Sequence, residues 1–267
     1  MFMEAMTGEH RCTPAPERYL SASEIEFMYA QLAEGTIQMA RLTFPTIGRI
    51  YRSDDGQFDI GPFDHFDGTT HGPFSTSVVF YAYLAETNTG LESWIKDKYA
   101  AHLYRLAARK LTLGNEGPFR LCHGDYGGHN ILFDDKCTIS GIVDWDFVYA
   151  APPLSCCIWP ALLQVRWFYV PKDGVSELLL ARQKAYIKGI EVAEQKWNID
   201  ITSFDGQRIS SVVGSDQATV AQIIQILDLD WSYKEYDGRR VFEFLFGEAN
   251  YDHARKLFFR ENSSEYL

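Results

Sequence analysis

Between Leu121 and Asp146 the chain reads Leu-Cys-His-Gly-Asp-Tyr-Gly-Gly-His-Asn-Ile-Leu-Phe-Asp-Asp-Lys-Cys-Thr-Ile-Ser-Gly-Ile-Val-Asp-Trp-Asp, and this stretch limits what the rest can fold into. Short apolar runs alternate there with Gly, Asn and Asp, the pattern of short strands joined by turns. Strands are expected over residues 119–122, 130–133 and 138–143. Strands this short have little stability of their own, so the remaining sequence must act as scaffold around them. The runs also leave polar groups at the strand ends. His123, Gly124 and Asp125 follow the first, Asn130 comes five residues after Asp125, and Asp144 and Asp146 close the third.

The offset from Asp125 to Asn130 has a chemical reading. A His-x-Asp-x-x-x-x-Asn loop lets the Asp accept the proton of an attacking hydroxyl while the Asn holds a magnesium ion, as in protein kinases. Mg²⁺ takes hard oxygen donors, keeping one or two carboxylates together with the substrate's own phosphates. Asp144 is the candidate for the charged ligand. Each residue also has a plainer reading. Asp125 could cap a turn, Asn130 could bond backbone at a strand entry, and Asp144 could be a structural carboxylate.

His-Gly-Asp-x-x-x-x-Asn followed by Ile-Val-Asp-Trp-Asp resembles the aminoglycoside phosphotransferase and choline kinase-like superfamily, especially its fungal members, and departs from protein kinases at Gly124. The resemblance implies transfer of the ATP γ-phosphoryl group to a hydroxyl of a small molecule, with ATP and Mg²⁺ required. It implies Asp125 as catalytic base, Asn130 and Asp144 as Mg²⁺ ligands, and His123 as a brace of the catalytic loop, with Gly124 and Asp146 in support. Residues 1–8 resemble the hinge that follows a nucleotide-binding lobe, with Met3, Glu4 and Ala5 placed for nucleotide contact.

A kinase-like ATP lobe needs a strand Lys for the phosphates and a helix Glu to position it. The first lysine here is Lys96, and neither G-x-G-x-x-G nor G-x-x-x-x-G-K-[ST] occurs. The expected fold is therefore α+β and mostly α: the C-terminal helical lobe of a protein-kinase-like fold, carrying a small catalytic sheet and a β-hairpin, with the N-terminal ATP lobe absent. Residues 1–8 would be a hinge remnant and 9–267 a single catalytic and substrate lobe. Such a chain would bind Mg·ATP weakly or undetectably.

In chain order, residues 9–20 hold Pro14 and Pro16 among polar groups and read as a loop. Ser21-Ala-Ser-Glu24 is a capping box, and Ile25, Met28, Tyr29 and Leu32 recur at helical spacing. Gly35 is expected to loosen that helix and Phe44-Pro45 to end it. Ile50 and Tyr51, then Ser53-Asp54-Asp55-Gly56, then Phe58 and Ile60 predict a hairpin closed by an Asp-Gly turn, a feature of the fungal members. Gly72-Pro73-Phe74 punctuates the chain before the aromatic-rich residues 78–84, and an amphipathic helix is expected over about 91–111. Further helical patterns cover 176–197, 216–231 and 239–259, with 199–214 as a connection.

Composition excludes more than it identifies. A net charge of −11 argues against an electrostatic grip on nucleic acid or an anionic membrane, and would suit a cationic substrate. The apolar run at 158–165 is broken by Pro160 and Gln164, far short of the ~20 residues of a membrane span, and no signal peptide opens the chain. A cytoplasmic protein is expected. Five cysteines without C-x-x-C spacing read as buried thiols rather than a disulfide framework or zinc site.

Other polar groups take the plainer reading. His123 fits a hydrogen-bonded core residue better than a general base, and His129 an exposed loop residue better than a ligand. Asp134-Asp135 beside Lys136 reads as an exposed turn, and Cys156-Cys157 as buried and unreactive. Asp228, Asp230, Glu235, Asp237, Glu243 and Glu248 read as a solvated helix face rather than a pocket for an amine. Sugars, choline-like amino alcohols and other hydroxyl metabolites all remain compatible as substrates. A catalytically silent remnant acting as a binding module is the alternative to the enzyme, and a metal-dependent phosphohydrolase is a weaker third.

Overall fold

The computed structural model describes residues 9–10, 21–64, 68–90, 98–160, 163, 177–199, 204–225, 234–247 and 250–261. The strands are β1 (Glu9–His10), β2 (Thr43–Phe44), β3 (Gly48–Arg52), β4 (Phe58–Gly61), β5 (Phe63–Asp64), β6 (Thr70–His71), β7 (Phe119–Cys122), β8 (Ile131–Phe133), β9 (Ile139–Ile142) and β10 (Tyr149–Ala151). The helices are α1 (Ala22–Ala40), α2 (Ser77–Gly90), α3 (Lys98–Ala108), α4 (Glu177–Trp197), α5 (Ile209–Val212), α6 (Asp216–Gln225), α7 (Lys234–Phe246) and α8 (Tyr251–Glu261). Single 3-10 turns cover Gly128–Asn130, Trp145–Phe147 and Pro153–Cys157.

α1 starts at the expected capping box: Ser21 N donates to Glu24 Oε2 at 2.7 Å and Glu24 N to Ser21 Oγ at 3.3 Å. This pairs amides that the first turn leaves without partners. Met28, Tyr29, Leu32, Ala33, Ile37 and Ala40 are its buried stripe, which packs on α4. The two helices approach closely because the facing residues are small. A Cβ on Gly189 would lie 2.8 Å from Ala33 Cβ and 2.9 Å from Ala30 Cα. Thr36 Oγ1 and Tyr186 OH share a hydrogen bond of 2.9 Å across the buried contact.

The strands form two antiparallel sheets and a two-stranded ribbon, with β2, β7, β10, β3 and β4 in one sheet, β1, β8 and β9 in the other, and β5 with β6 in the ribbon. The stretch 121–146 is thus divided rather than confined to one small sheet, because β7 finds its partners in β2 and β10 while β8 and β9 pair with each other. The β7–β8 and β9–β10 connections both cross from one sheet to the other. They run side by side, with Val143 N donating to Asn130 O at 2.9 Å.

The hairpin of β3 and β4 closes as expected, with Gly56 at φ +85° and Ser53 N bonded to Gln57 O at 2.8 Å. Arg120 on β7 is 1% exposed. Its Nη1 donates to Ala40 O at 2.9 Å, at the C-terminal end of α1 where a cation complements the helix dipole. Phe63, Phe74, Phe80 and Tyr149 form an aromatic cluster that joins the ribbon and α2 to β10.

Several expectations are corrected. Glu9–His10 is strand rather than loop, its partners Phe133 and Leu132 lying far along the chain. α1 runs through Gly35 without a break and ends at Ala40, before the Phe44-Pro45 step. Residues 239–259 are not one helix. Gly247, at φ +73°, ends α7 with its N–H on Glu243 O at 2.8 Å, and Asn250 Oδ1 opens α8 by accepting from His253 N at 2.9 Å. The 199–214 connection contains the short helix α5. Met3, Glu4 and Ala5, the start of the helix expected over 91–111, and residues 226–231 lie outside the described residues.

Candidate active site

Asp125 stands just past the end of β7, its side chain 40% exposed. Asn130 folds back onto it: Nδ2 donates to the Asp125 backbone O at 2.9 Å and to Oδ2 at 3.0 Å. The loop between them is tied internally by Gly127 N to Asp125 O (2.9 Å) and Asn130 N to Gly127 O (2.9 Å). Asn130 is buried, so its amide is held rather than free to rotate in solvent.

His123 has no exposed surface and bonds through Nε2 to Val143 O at 3.0 Å. A carbonyl oxygen only accepts, so Nε2 carries the proton, and the buried Nδ1 has no partner among the described residues. Burial holds the imidazole below its ordinary pKa, with the Val143 bond and the charges of Asp125 and Asp144 pulling the other way. The ring lies 4.6 Å from that of Trp145, whose Nε1 donates to Ile142 O at 2.9 Å. His123 therefore joins the two connections, and the charges of Asp125 and Asp144 both act on its ring.

Two backbone positions are special. Gly124 is at φ +81°, and a Cβ there would collide with the carbonyl oxygen of Phe147 and lie 2.9 Å from Phe147 Cβ. Asp144 is at φ 62°, ψ 60°, a left-handed conformation that Asp tolerates better than most residues. It turns the chain out of β9 into the Trp145–Phe147 turn and leaves its carboxylate exposed, with no hydrogen-bond partner among the described residues. Asp146 is likewise exposed and caps nothing there.

The donor set suits a hard cation. Asn130 Oδ1 and the Asp144 carboxylate offer oxygens without partners among the described residues, which hold no metal-binding cluster of three or more His, Cys, Asp and Glu. A site of one carboxylate and one amide is what Mg²⁺ uses when phosphates supply the remaining ligands.

Three supporting groups went unread in the sequence. His129, expected as an exposed loop residue, is exposed, yet its Nε2 lies 2.8 Å from Asp125 Oδ2. Tyr126 OH donates to Leu32 O at 3.2 Å and so hangs the loop from α1. Gln31 holds the β8–β9 turn at both ends, Nε2 donating to Cys137 O and Oε1 accepting from Ile139 N, each at 2.8 Å. The His at i+4 from Asp125 was a readable signal; nothing in the sequence pairs Tyr126 or Gln31 with its partner.

Asp134 caps the β8–β9 turn by accepting from Lys136 N and Thr138 N, which lowers its pKa, and Asp135 is exposed. Cys156 and Cys157 are buried, and burial pushes both thiols up. Cys122, Cys137, Cys156 and Cys157 are all free. Glu243 is exposed beside Arg240, whereas the side chains of the other five acidic residues in that group lie outside the described residues. A groove of about 390 Å³ between α1 and α4 is lined by neither Asp125, Asn130 nor Asp144. No helix among the described residues is long and apolar enough to cross a membrane.

A carboxylate braced by an Asn five residues on, with a second carboxylate at the exit of β9, fits the kinase-like class of phosphotransferases. The chain is a member of the phosphotransferase enzyme family (APH), whose model matches residues 8–191. That places it in the aminoglycoside phosphotransferase and choline kinase-like superfamily. No curated protein matches the chain.

Proposed function

We propose that this protein is a small-molecule kinase that transfers the γ-phosphoryl group of ATP to a hydroxyl, and that the chain supplies the C-terminal, catalytic lobe of the kinase-like fold. The observation that carries the reading is the Asn130 amide bonded to both the backbone O and the Oδ2 of Asp125. It leaves Asp125 Oδ1 as the oxygen that receives the proton of the acceptor hydroxyl as the phosphoryl group arrives. General-base help of this kind contributes about 10²–10⁴-fold. Asn130 Oδ1 and Asp144 would hold Mg²⁺, which when bound neutralises charge on the phosphates. His123 ties the loop that carries Asp125 to Val143, the residue before Asp144, and its burial as a neutral ring adds no competing charge. The net charge of −11 suits an amine-bearing acceptor, and the free thiols of the four cysteines among the described residues suit a reducing, cytoplasmic setting.

The test is acceptor-dependent ADP release at millimolar Mg·ATP against a panel of sugars, amino alcohols and aminoglycosides, run beside calorimetry with Mg·ATP. Turnover of one acceptor class is expected, reduced about a hundredfold or more in Asp125→Asn. Asp144→Ala is expected to remove whatever Mg·ATP binding the wild type shows. No turnover with any acceptor, together with nucleotide binding indifferent to Asp144→Ala, would sink the reading.

A further inference from the structure

The Asp125 carboxylate is held unevenly. Oδ2 receives two hydrogen bonds, from His129 Nε2 at 2.8 Å and from Asn130 Nδ2 at 3.0 Å, while no described residue donates to Oδ1. A carboxylate only accepts, so the proton of this contact sits on His129 Nε2 whatever the charge of the ring. The two donors do different work. Asn130 also grips the Asp125 backbone O, so its amide follows the loop and constrains the carboxylate on one side alone. His129 belongs to the next 3-10 turn, Gly128–Asn130, and approaches the carboxylate from four residues along the chain. With both present, rotation about the Asp125 side chain is stopped and the two oxygens cease to be equivalent.

We infer that His129 is the positioning residue of Asp125: its Nε2–H fixes the carboxylate so that Oδ1 alone faces the incoming hydroxyl. The inference rests on the reading of Asp125 as the base, and it goes beyond the Asp–Asn pair that the motif names. The contact its ring makes is with the Asp125 carboxylate, and it acts through Asp125. Gln is the conservative replacement, because its Nε2 can donate at nearly the reach of an imidazole Nε2, whereas Ala offers no donor.

The test has an arm that needs no turnover. In a side-chain amide NMR spectrum, the Asn130 Nδ2 protons report whether the Asp125 carboxylate stays in place. His129→Ala is expected to shift that signal and lower its protection from hydrogen exchange about tenfold, the size of one lost charge-assisted bond, whereas His129→Gln keeps the wild-type signal. An Asn130 signal unchanged in His129→Ala, or His129→Gln behaving like His129→Ala, overturns the inference even if the wild type turns over no acceptor. Where an acceptor is found, kcat should fall about tenfold in His129→Ala and recover in His129→Gln, with KM for Mg·ATP unchanged in both. Equal loss in the two variants, or a change confined to KM, would also overturn it. Absence of turnover in the wild type counts against the proposed function and leaves the NMR outcome decisive for His129.

Discussion

Gly35 sits where a helix residue would be improved by any textual rule of propensity, and the structure reverses the sign. In an exposed helix interior, Gly→Ala gains about 1 kcal/mol. At Gly35 the new Cβ would lie 2.6 Å from Tyr126 OH, which is the tip of a ring whose hydroxyl donates to Leu32 O at 3.2 Å. The ring must pivot, and the hydroxyl then loses its partner in a buried place, at about 1–3 kcal/mol. Gly35→Ala should therefore destabilise by about 0–2 kcal/mol, because the cost of the orphaned hydroxyl offsets or exceeds the gain in helix propensity. Removing the hydroxyl changes the outcome, since the next atoms the Cβ meets are Tyr126 Cζ at 3.6 Å and Ile142 Cδ1 at 3.9 Å, both ordinary contacts. In a Tyr126→Phe background, Gly35→Ala should stabilise by up to about 1 kcal/mol. The assay is a double-mutant cycle by urea unfolding, with a coupling of about 1–3 kcal/mol. Thermal midpoints should move by about 2–4 °C per kcal/mol. Equal effects of Gly35→Ala in the two backgrounds would refute the reasoning, as would a stabilising effect in the wild type.

Two further outcomes follow from the loop itself. Gly124→Ala adds left-handed strain of about 1–2 kcal/mol to a collision with Phe147 backbone, so unfolding free energy should drop by about 2–4 kcal/mol; an unchanged urea midpoint would show that the loop gives way freely. Burial holds the His123 imidazole below the ordinary histidine pKa of about 6.5, so as pH falls through that value the unfolded chain takes up the proton first. Its contribution is present above about pH 6.5 and drains below it, at no more than about 1.4 kcal/mol per pH unit. His123→Asn should flatten the stability profile between pH 7.5 and 5.5, and identical slopes for variant and wild type would remove His123 from the explanation.

What could be read in the sequence follows a physical divide. The capping box at Ser21 and Glu24, the Asp-Gly turn of the β3–β4 hairpin and the Asp125-to-Asn130 offset are local, each set by residues within a few positions of one another. Gly247 and Asn250 were readable on the same terms, as a helix stop and a helix start, but the apolar spacing continues across them and masks the break. The aromatic-rich residues 78–84 show no helical period because α2 is enclosed on most sides, with Phe80, Tyr81 and Ala85 buried together and Val79 left outside. The partners of β1, Arg120 and Gln31 lie more than seventy residues away, and no local rule could name them.

The candidate site shows the same divide on a smaller scale, and it explains why a motif can be legible while its geometry is not. Asp125, Asn130 and Asp144 are announced by their spacing, yet what holds them comes from elsewhere in the chain. Tyr126 hangs the β7–β8 loop from Leu32 on α1 and Gln31 holds the turn before β9, so one helix, packed on α4 through Gly189, fixes the first of the two connections that carry the polar residues and the turn that leads toward the second. His123 then ties one connection to the other through Val143 O. Substitutions along the buried face of α1 should thus disturb the site without touching a single motif residue. The Gly35 and Tyr126 cycle measures that coupling directly.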